Sequence, residues 1–285
     1  MDAHNPAHSQ VLSPGNLPEL FSLWNRFPGA APFAGGTSII RRGSDPGGAR
    51  GVFREQPELP HEILSLERIE ELRNITRTER YLEIGAMVRL NEILTLGKIV
   101  PGAFSQTLQG IAGPPVRNMA TIGGNIFSAG DTIAALCALD AAYELRSSSG
   151  SRWVSAIRFS TVSECCQKGE LLTRVRIPLE EWNYTIYRKF NAMDGGNEGG
   201  VLILVAMNKK NLLSNINVVF TGRALLRDKD SEVYLEGKAL PLDRREAAHY
   251  RKYWETYLDE LEYPNPLLKD KILNAIEMGI LGLSD

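Results

Sequence analysis

Apolar residues return at helical spacing in residues 17–24, and Pro28-Gly29 then stops the predicted helix. A short strand into Gly35 follows, and residues 41–59, with several Gly and Pro among mixed charges, read as a surface loop. Beyond Ile63 the pattern predicts a short helix over 66–72, a strand over 81–86 and helices over 88–96 and 103–111. Pro101 and the pair Pro114-Pro115 interrupt these helices. Another helix is predicted after Asp131, whose carboxylate suits the positive end of a helix dipole. Residues 142–146 and 153–159 predict paired strands about the turn Ser147-Ser148-Ser149-Gly150, and 171–177 alternates as a further strand that Pro178 limits. Residues 201–207 and 216–221 predict a hairpin across the polar stretch 208–215, with helices over 244–261 and 267–281 completing the chain. Tyr253, Trp254, Tyr257 and Leu258 form a stripe expected to pack on that hairpin.

This alternation predicts an α+β protein with lobes over 1–62, 63–182 and 183–285. At 285 residues the chain exceeds one typical domain. A net charge of −2 gives no electrostatic reason to expect nucleic acid, and no apolar run is long enough to span a membrane. The polar start at Met1 is not a signal peptide, so a cytoplasmic location is expected. Cys137, Cys165 and Cys166 make neither a disulfide framework nor a metal pattern, and His4, His8, His61 and His249 lack zinc spacing.

Two glycine pairs carry the candidate chemistry. Ala34-Gly35-Gly36-Thr37-Ser38 and Thr121-Ile122-Gly123-Gly124-Asn125 each place glycines among hydroxyl or amide side chains. Glycine lets an anion approach the main chain, so the two turns could grip a pyrophosphate from two sides. A bend between packed strands is the bland alternative for either turn alone. Neither turn has Walker A or Rossmann spacing.

In that order, and together with Val116-Arg117-Asn118, Leu82-Glu83-Ile84-Gly85, Gly169-Glu170-Leu171-Leu172 and Tyr187-Arg188-Lys189, these residues resemble the FAD-binding subunit of molybdenum hydroxylases. That family includes the flavin domain of xanthine dehydrogenase and the medium subunit of aerobic carbon monoxide dehydrogenase. The resemblance implies a two-lobed FAD-binding domain of the vanillyl-alcohol-oxidase-like (PCMH) type, followed by a small α+β C-terminal domain. It also implies FAD contacts from Pro32, Phe33, Ala34, Gly35, Gly36, Thr37, Ser38, Ile39, Thr121, Gly123, Gly124 and Asn125, with backbone amides on the pyrophosphate. Ile111 and Lys189 are expected near the flavin ring, Asp131 on the adenosine and Leu172 near the adenine.

The implied partners are a molybdenum-cofactor subunit and a [2Fe-2S] subunit, with electrons leaving FAD for NAD or another acceptor. No catalytic side chain and no metal site is expected in this chain. The chain departs from the family in three places. The 41–59 excursion is longer, the connection from Asn125 to Asp131 is shorter, and Met193, before a glycine-rich loop, stands where the family often has arginine. Two rival readings are a structural subunit without FAD and a stand-alone flavin oxidoreductase.

Overall fold

The computed structural model describes residues 9–39, 59–158, 166–190, 199–222 and 224–283. The excursion at 41–58, Met193 with most of its glycine-rich loop, Cys165, His4 and His8 lie outside the described residues.

The first lobe is a small parallel sheet. Strand β1 (Gln10–Leu12) leads to helix α1 (Leu17–Arg26), then to β2 (Ala31–Phe33) and β3 (Glu62–Ser65), with β3 at the centre. Asn16 caps α1 by accepting from the Glu19 amide at 2.8 Å, and Pro18 sits in the first turn where its missing N–H costs nothing. Leu17, Leu20 and Phe21 on one face of α1 are buried with Leu64, Ile69 and Leu72.

The second lobe opens with β4 (Ile75–Arg77) and β5 (Tyr81–Gly85), followed by α2 (Leu90–Thr95), α3 (Gly102–Gly110), α4 (Pro114–Arg117), α5 (Ile122–Phe127) and α6 (Thr132–Ala138). Strands β6 (Ala142–Ser147), β7 (Gly150–Ser155) and β8 (Leu171–Pro178) complete an antiparallel sheet in the order β4-β5-β8-β6-β7. All seven residues of α6 are buried, which suits a helix enclosed on every side.

The opposite face of this sheet carries polar ladders. Arg174 and Arg176 both donate to Glu83, and Arg152 donates to Glu170, each at 2.7 Å. Hydrogen bonds from Arg152, together with the Gln167 amide and against an opposing effect of burial, hold Glu170 below the usual carboxylate range. For Glu83, burial alone would raise the pKa, but the hydrogen bonds and charges of Arg174 and Arg176 outweigh it. A carboxylate with a depressed folded pKa stabilises the fold above its unfolded value and loses that contribution as the pH falls through the folded value. Wild-type stability is therefore expected to decline below the ordinary value of 4.5. Glu83→Gln should start lower at neutral pH and decline less steeply, as checked by urea melts from about pH 7 to about pH 3.

The C-terminal part builds an antiparallel sheet from β9 (Tyr184–Phe190), β10 (Gly200–Lys209), β11 (Leu212–Thr221) and β12 (Leu225–Leu226), followed by α7 (Lys229–Leu235), α8 (Arg244–Glu260) and α9 (Pro266–Leu281). Strand β10 is apolar on both faces. Val201, Ile203 and Val205 enter the core of the second lobe, whereas Leu202, Leu204 and Ala206 pack with Trp254, Leu258 and Ile276. The sheet is therefore a shared wall between the second lobe and the helical layer.

Several local expectations change. The strand predicted over 153–159 ends at Ser155, where a 3-10 turn with buried Ala156 follows. Residues 66–72 yield only a 3-10 turn at Glu70–Arg73, because Ile69 and Leu72 are drawn into the first lobe's core. The hairpin turn shrinks to Lys210 and Asn211, both at positive φ, as a tight two-residue reversal requires, so its strands extend through the expected loop. In the aromatic stripe, Trp254 and Leu258 are buried but Tyr253 is exposed.

Candidate functional site

The second glycine turn is fixed to residues 86–90, just past the end of β5, by a short backbone ladder. Ile122 N–H donates to Val88 O at 3.0 Å, Gly123 N–H to Ala86 O at 2.9 Å, and Leu90 N–H to Ala120 O at 2.9 Å. Thr121 caps α5 through a 3.1 Å bond accepted from the Gly124 amide. Both glycine amides expected to face a pyrophosphate are thus engaged inside the chain, and so is the Thr121 hydroxyl. Gly123 is needed for close approach instead, since a Cβ there would lie 2.9 Å from Ala86 O.

The first glycine turn packs directly on this segment. A Cβ on Gly35 would sit 1.9 Å from the carbonyl oxygen of Met119. Gly36 takes φ 68° over the Phe33 ring, where a side chain would be strained. Residues 37–39 then begin a helix, with Ile39 N–H donating to Gly36 O at 3.1 Å. Among the described residues the amides of Gly35, Gly36, Thr37 and Ser38 have no protein acceptor. The start of a helix leaves such donors pointing outward, which suits an anion. Ala34 faces Gly124 across the gap, about a van der Waals contact from where a Gly124 Cβ would be. Pro32 is exposed at the edge of the turn, on β2.

A second cluster forms where α3, α6 and β9 meet. Lys189 Nζ donates to Asp131 Oδ2 at 2.6 Å and to Gly110 O at 3.2 Å. The Tyr187 hydroxyl lies against Gly110, where a Cβ would come within 2.0 Å of it. Burial, reinforced by the charge of Asp131, raises the Tyr187 pKa, so the phenol stays neutral. Ile111 packs beneath in the core of the second lobe. Asp131 and Lys189, expected at opposite ends of an extended FAD, are bonded to each other.

Two other expectations are redirected. The Asn125 side-chain Oδ1 accepts from the Thr132 amide at 3.2 Å and hydroxyl at 2.7 Å, so it pins the short connection to α6. Ala129 at φ 52° and a Ser128 hydroxyl bond to Gly124 O close the same turn. Leu172 is 2% exposed within the core, the ordinary fate of an inward strand leucine. Arg117 was not legible from sequence chemistry, although it stands two residues before Met119. Its Nη1 donates to Ile111 O at 2.8 Å and Ala112 O at 2.7 Å.

Among the described residues no three His, Cys, Asp or Glu side chains gather as a metal site, and no helix is long and apolar enough to cross a membrane. The family described as the FAD binding domain in molybdopterin dehydrogenase matches residues 7–180, a span that holds both glycine turns and Asp131. The chain belongs to this family.

FAD is accordingly the cofactor of this FAD-binding domain, and oxidoreduction is its chemistry. The glyceraldehyde dehydrogenase medium chain of Sulfolobus acidocaldarius is 30% identical over 198 residues, covering 67% of each chain. Aldehyde oxidase 2 of Cavia porcellus is 33% identical over 191 residues, 61% of this chain but only 14% of that much longer protein. In fold, the chain is similar to Cu,Mo-CO dehydrogenase in its cyanide-inactivated form, with a TM-score of 0.78 at 21% identity over 95% of this chain and 96% of that one. The likeness in fold extends through the C-terminal sheet and helices, beyond the 7–180 match.

The residues present fit FAD on structural grounds. Four amides at a glycine turn that have no acceptor among the described residues offer a pyrophosphate what it needs, and a lysine, a carboxylate and an apolar residue gather in a second cluster.

Proposed function

We propose that this chain is the FAD-carrying electron-transfer subunit of a molybdenum hydroxylase complex. In this reading it receives electrons from a [2Fe-2S] subunit that a molybdenum-cofactor subunit supplies, and delivers them to NAD or another acceptor in the cytoplasm. The open turn at residues 35–38, in a chain of the FAD-binding family, carries the proposal. Its amides hold the pyrophosphate. Ile111 backs the flavin ring, with the Lys189–Asp131 pair beside it. Bound flavin supplies the capacity to accept and release electrons, and the protein's residues supply binding, orientation and electrostatics.

Lys189 is the polar side chain with most to contribute. It is already oriented by two acceptors and remains partly exposed, so its positive charge is available to a ligand at small reorganisation cost. The purified chain should hold close to one FAD, read from visible absorbance and the mass of the released cofactor. Lys189→Met should weaken FAD binding about tenfold without changing the fold, as expected for one lost charge-assisted hydrogen bond. A colourless, folded chain that takes up no added FAD would overturn the reading in favour of a structural subunit. Turnover of a small substrate by the isolated chain would favour a stand-alone oxidoreductase.

A further inference from the structure

At the C-terminal end of α3, three main-chain carbonyls converge on one side chain. Arg117 Nη1 donates to Ala112 O at 2.7 Å, Ile111 O at 2.8 Å and Gln109 O at 3.3 Å. A helix end leaves its last carbonyls without partners and attracts a cation, so this placement is electrostatically sound. The turn needs such support, because Ala112 has φ 43°, a left-handed conformation alanine seldom adopts. Gly110, within the same turn, is the residue whose carbonyl accepts from Lys189.

Arg117 also belongs to the segment that builds the other half of the site. The Asn118 amide donates to Pro114 O at 2.9 Å and the Ala120 amide to Val116 O at 2.8 Å, which closes α4 into a rigid turn. Met119 then covers Gly35, and residues 120–123 join the ladder on residues 86–90. One guanidinium therefore ties the Ile111 turn to the segment on which both glycine turns rest. Its Nε is buried without a hydrogen-bond partner, so the group is held entirely by what Nη1 does for these carbonyls.

We propose that Arg117 is a positioning residue that sets the spacing between the two halves of the site, the open amides at 35–38 and the cluster of Ile111, Asp131 and Lys189. It acts through the carbonyls of Gln109, Ile111 and Ala112. The inference rests on the reading that FAD spans both halves.

The test compares Arg117→Met and Arg117→Lys with wild type in the full chain. Hydrogen exchange at residues 109–113 is measured without FAD, together with apo-chain melting, FAD affinity and the visible circular dichroism of bound flavin. Arg117→Met is expected to exchange faster at 109–113 and nowhere else, to melt near wild type, and to bind FAD about tenfold more weakly with an altered visible signal. Arg117→Lys keeps a donor for the carbonyls and removes the orphan Nε, so it should restore most of the affinity and the wild-type signal. Unchanged exchange in Arg117→Met would overturn the proposal, as would wild-type affinity and dichroism despite faster exchange. A fall in melting temperature that accounts for the whole loss of affinity would also overturn it, by reducing Arg117 to a structural role. If wild type takes up no FAD, the functional reading fails and takes this role with it. The exchange result, read without FAD, separates that failure from a turn that never depended on Arg117.

Discussion

Gly35→Ala is expected to strip FAD from the chain and to lower its melting temperature. The added methyl would stand 1.9 Å from Met119 O, 2.7 Å from Met119 C and 3.3 Å from Ala120 N. These are main-chain atoms, so no rotamer change relieves the clash. Moving them pulls on the ladder between residues 86–90 and 120–123, which is anchored by bonds near 3 Å. Overpacking of this kind costs about 1–3 kcal/mol, and a contact this short against fixed backbone belongs at the upper end. The turn that carries the amides of Gly35, Gly36, Thr37 and Ser38 should shift with it, so FAD is expected to be lost before the fold is. Gly102→Ala is the matched control, since its Cβ would meet only Thr185 Oγ1 at 3.8 Å, an ordinary contact. Visible absorbance of the purified proteins and thermal melts of their apo forms check both. Full retention of FAD by Gly35→Ala would show that the two turns can separate at no cost.

Arg227→Met should cost about 3–5 kcal/mol, the usual penalty for removing one partner of a buried pair. The Arg227 side chain is 3% exposed and the Glu232 side chain 6% exposed, and they meet through two hydrogen bonds of 2.8 and 3.1 Å. The same guanidinium donates to Cys137 O at 2.8 Å and to Asp140 at 2.6 Å, at the C-terminal end of α6. Asn217 of β11 reaches Ala138 O and Asp140 beside it. Truncating Arg227 leaves Glu232 buried without its countercharge and frees the end of the helix whose other end carries Asp131.

Burial already raises the Glu232 pKa against the hydrogen bonds and charge of Arg227. Removing that opposition raises it further. A carboxyl with a raised folded pKa stabilises fully below its unfolded value and loses that contribution as the pH rises. The variant should therefore lie nearest wild type in acid and fall behind as the pH climbs above the ordinary value of 4.5. Urea melts across pH test this, and Arg227→Met/Glu232→Leu should recover much of the loss because an apolar pair carries no stranded charge. A single variant as stable as wild type at neutral pH would show that water reaches Glu232.

Helix α1, the β5 strand, the β10–β11 hairpin and helices α8 and α9 were legible because each needs only its own periodicity and a cap or turn signal. Both glycine turns were legible too, because two of them occur in one chain; either alone would read as an ordinary bend between packed strands. The roles within them were not. Sequence suggests that every amide in a Gly-Gly turn is available, but Gly123 and Gly124 donate within the chain because α5 begins there and its first turn bonds to the segment that follows β5 and to its own cap. Leu172 and Lys189 show the same limit. Whether a strand leucine faces core or ligand, and which acid a lysine reaches, depends on neighbours far away in sequence.

The sequence by itself determined most element types and the two glycine turns, because period, capping and glycine's lack of a Cβ are local properties, and the order of its motifs carried the family resemblance. Only the tertiary structure decided which amides remain open, that Asp131 pairs with Lys189, and that Arg117 and Arg227 lock segments distant in sequence. Those outcomes depend on which donors and acceptors burial brings together, and a buried polar group takes whatever partner the fold supplies.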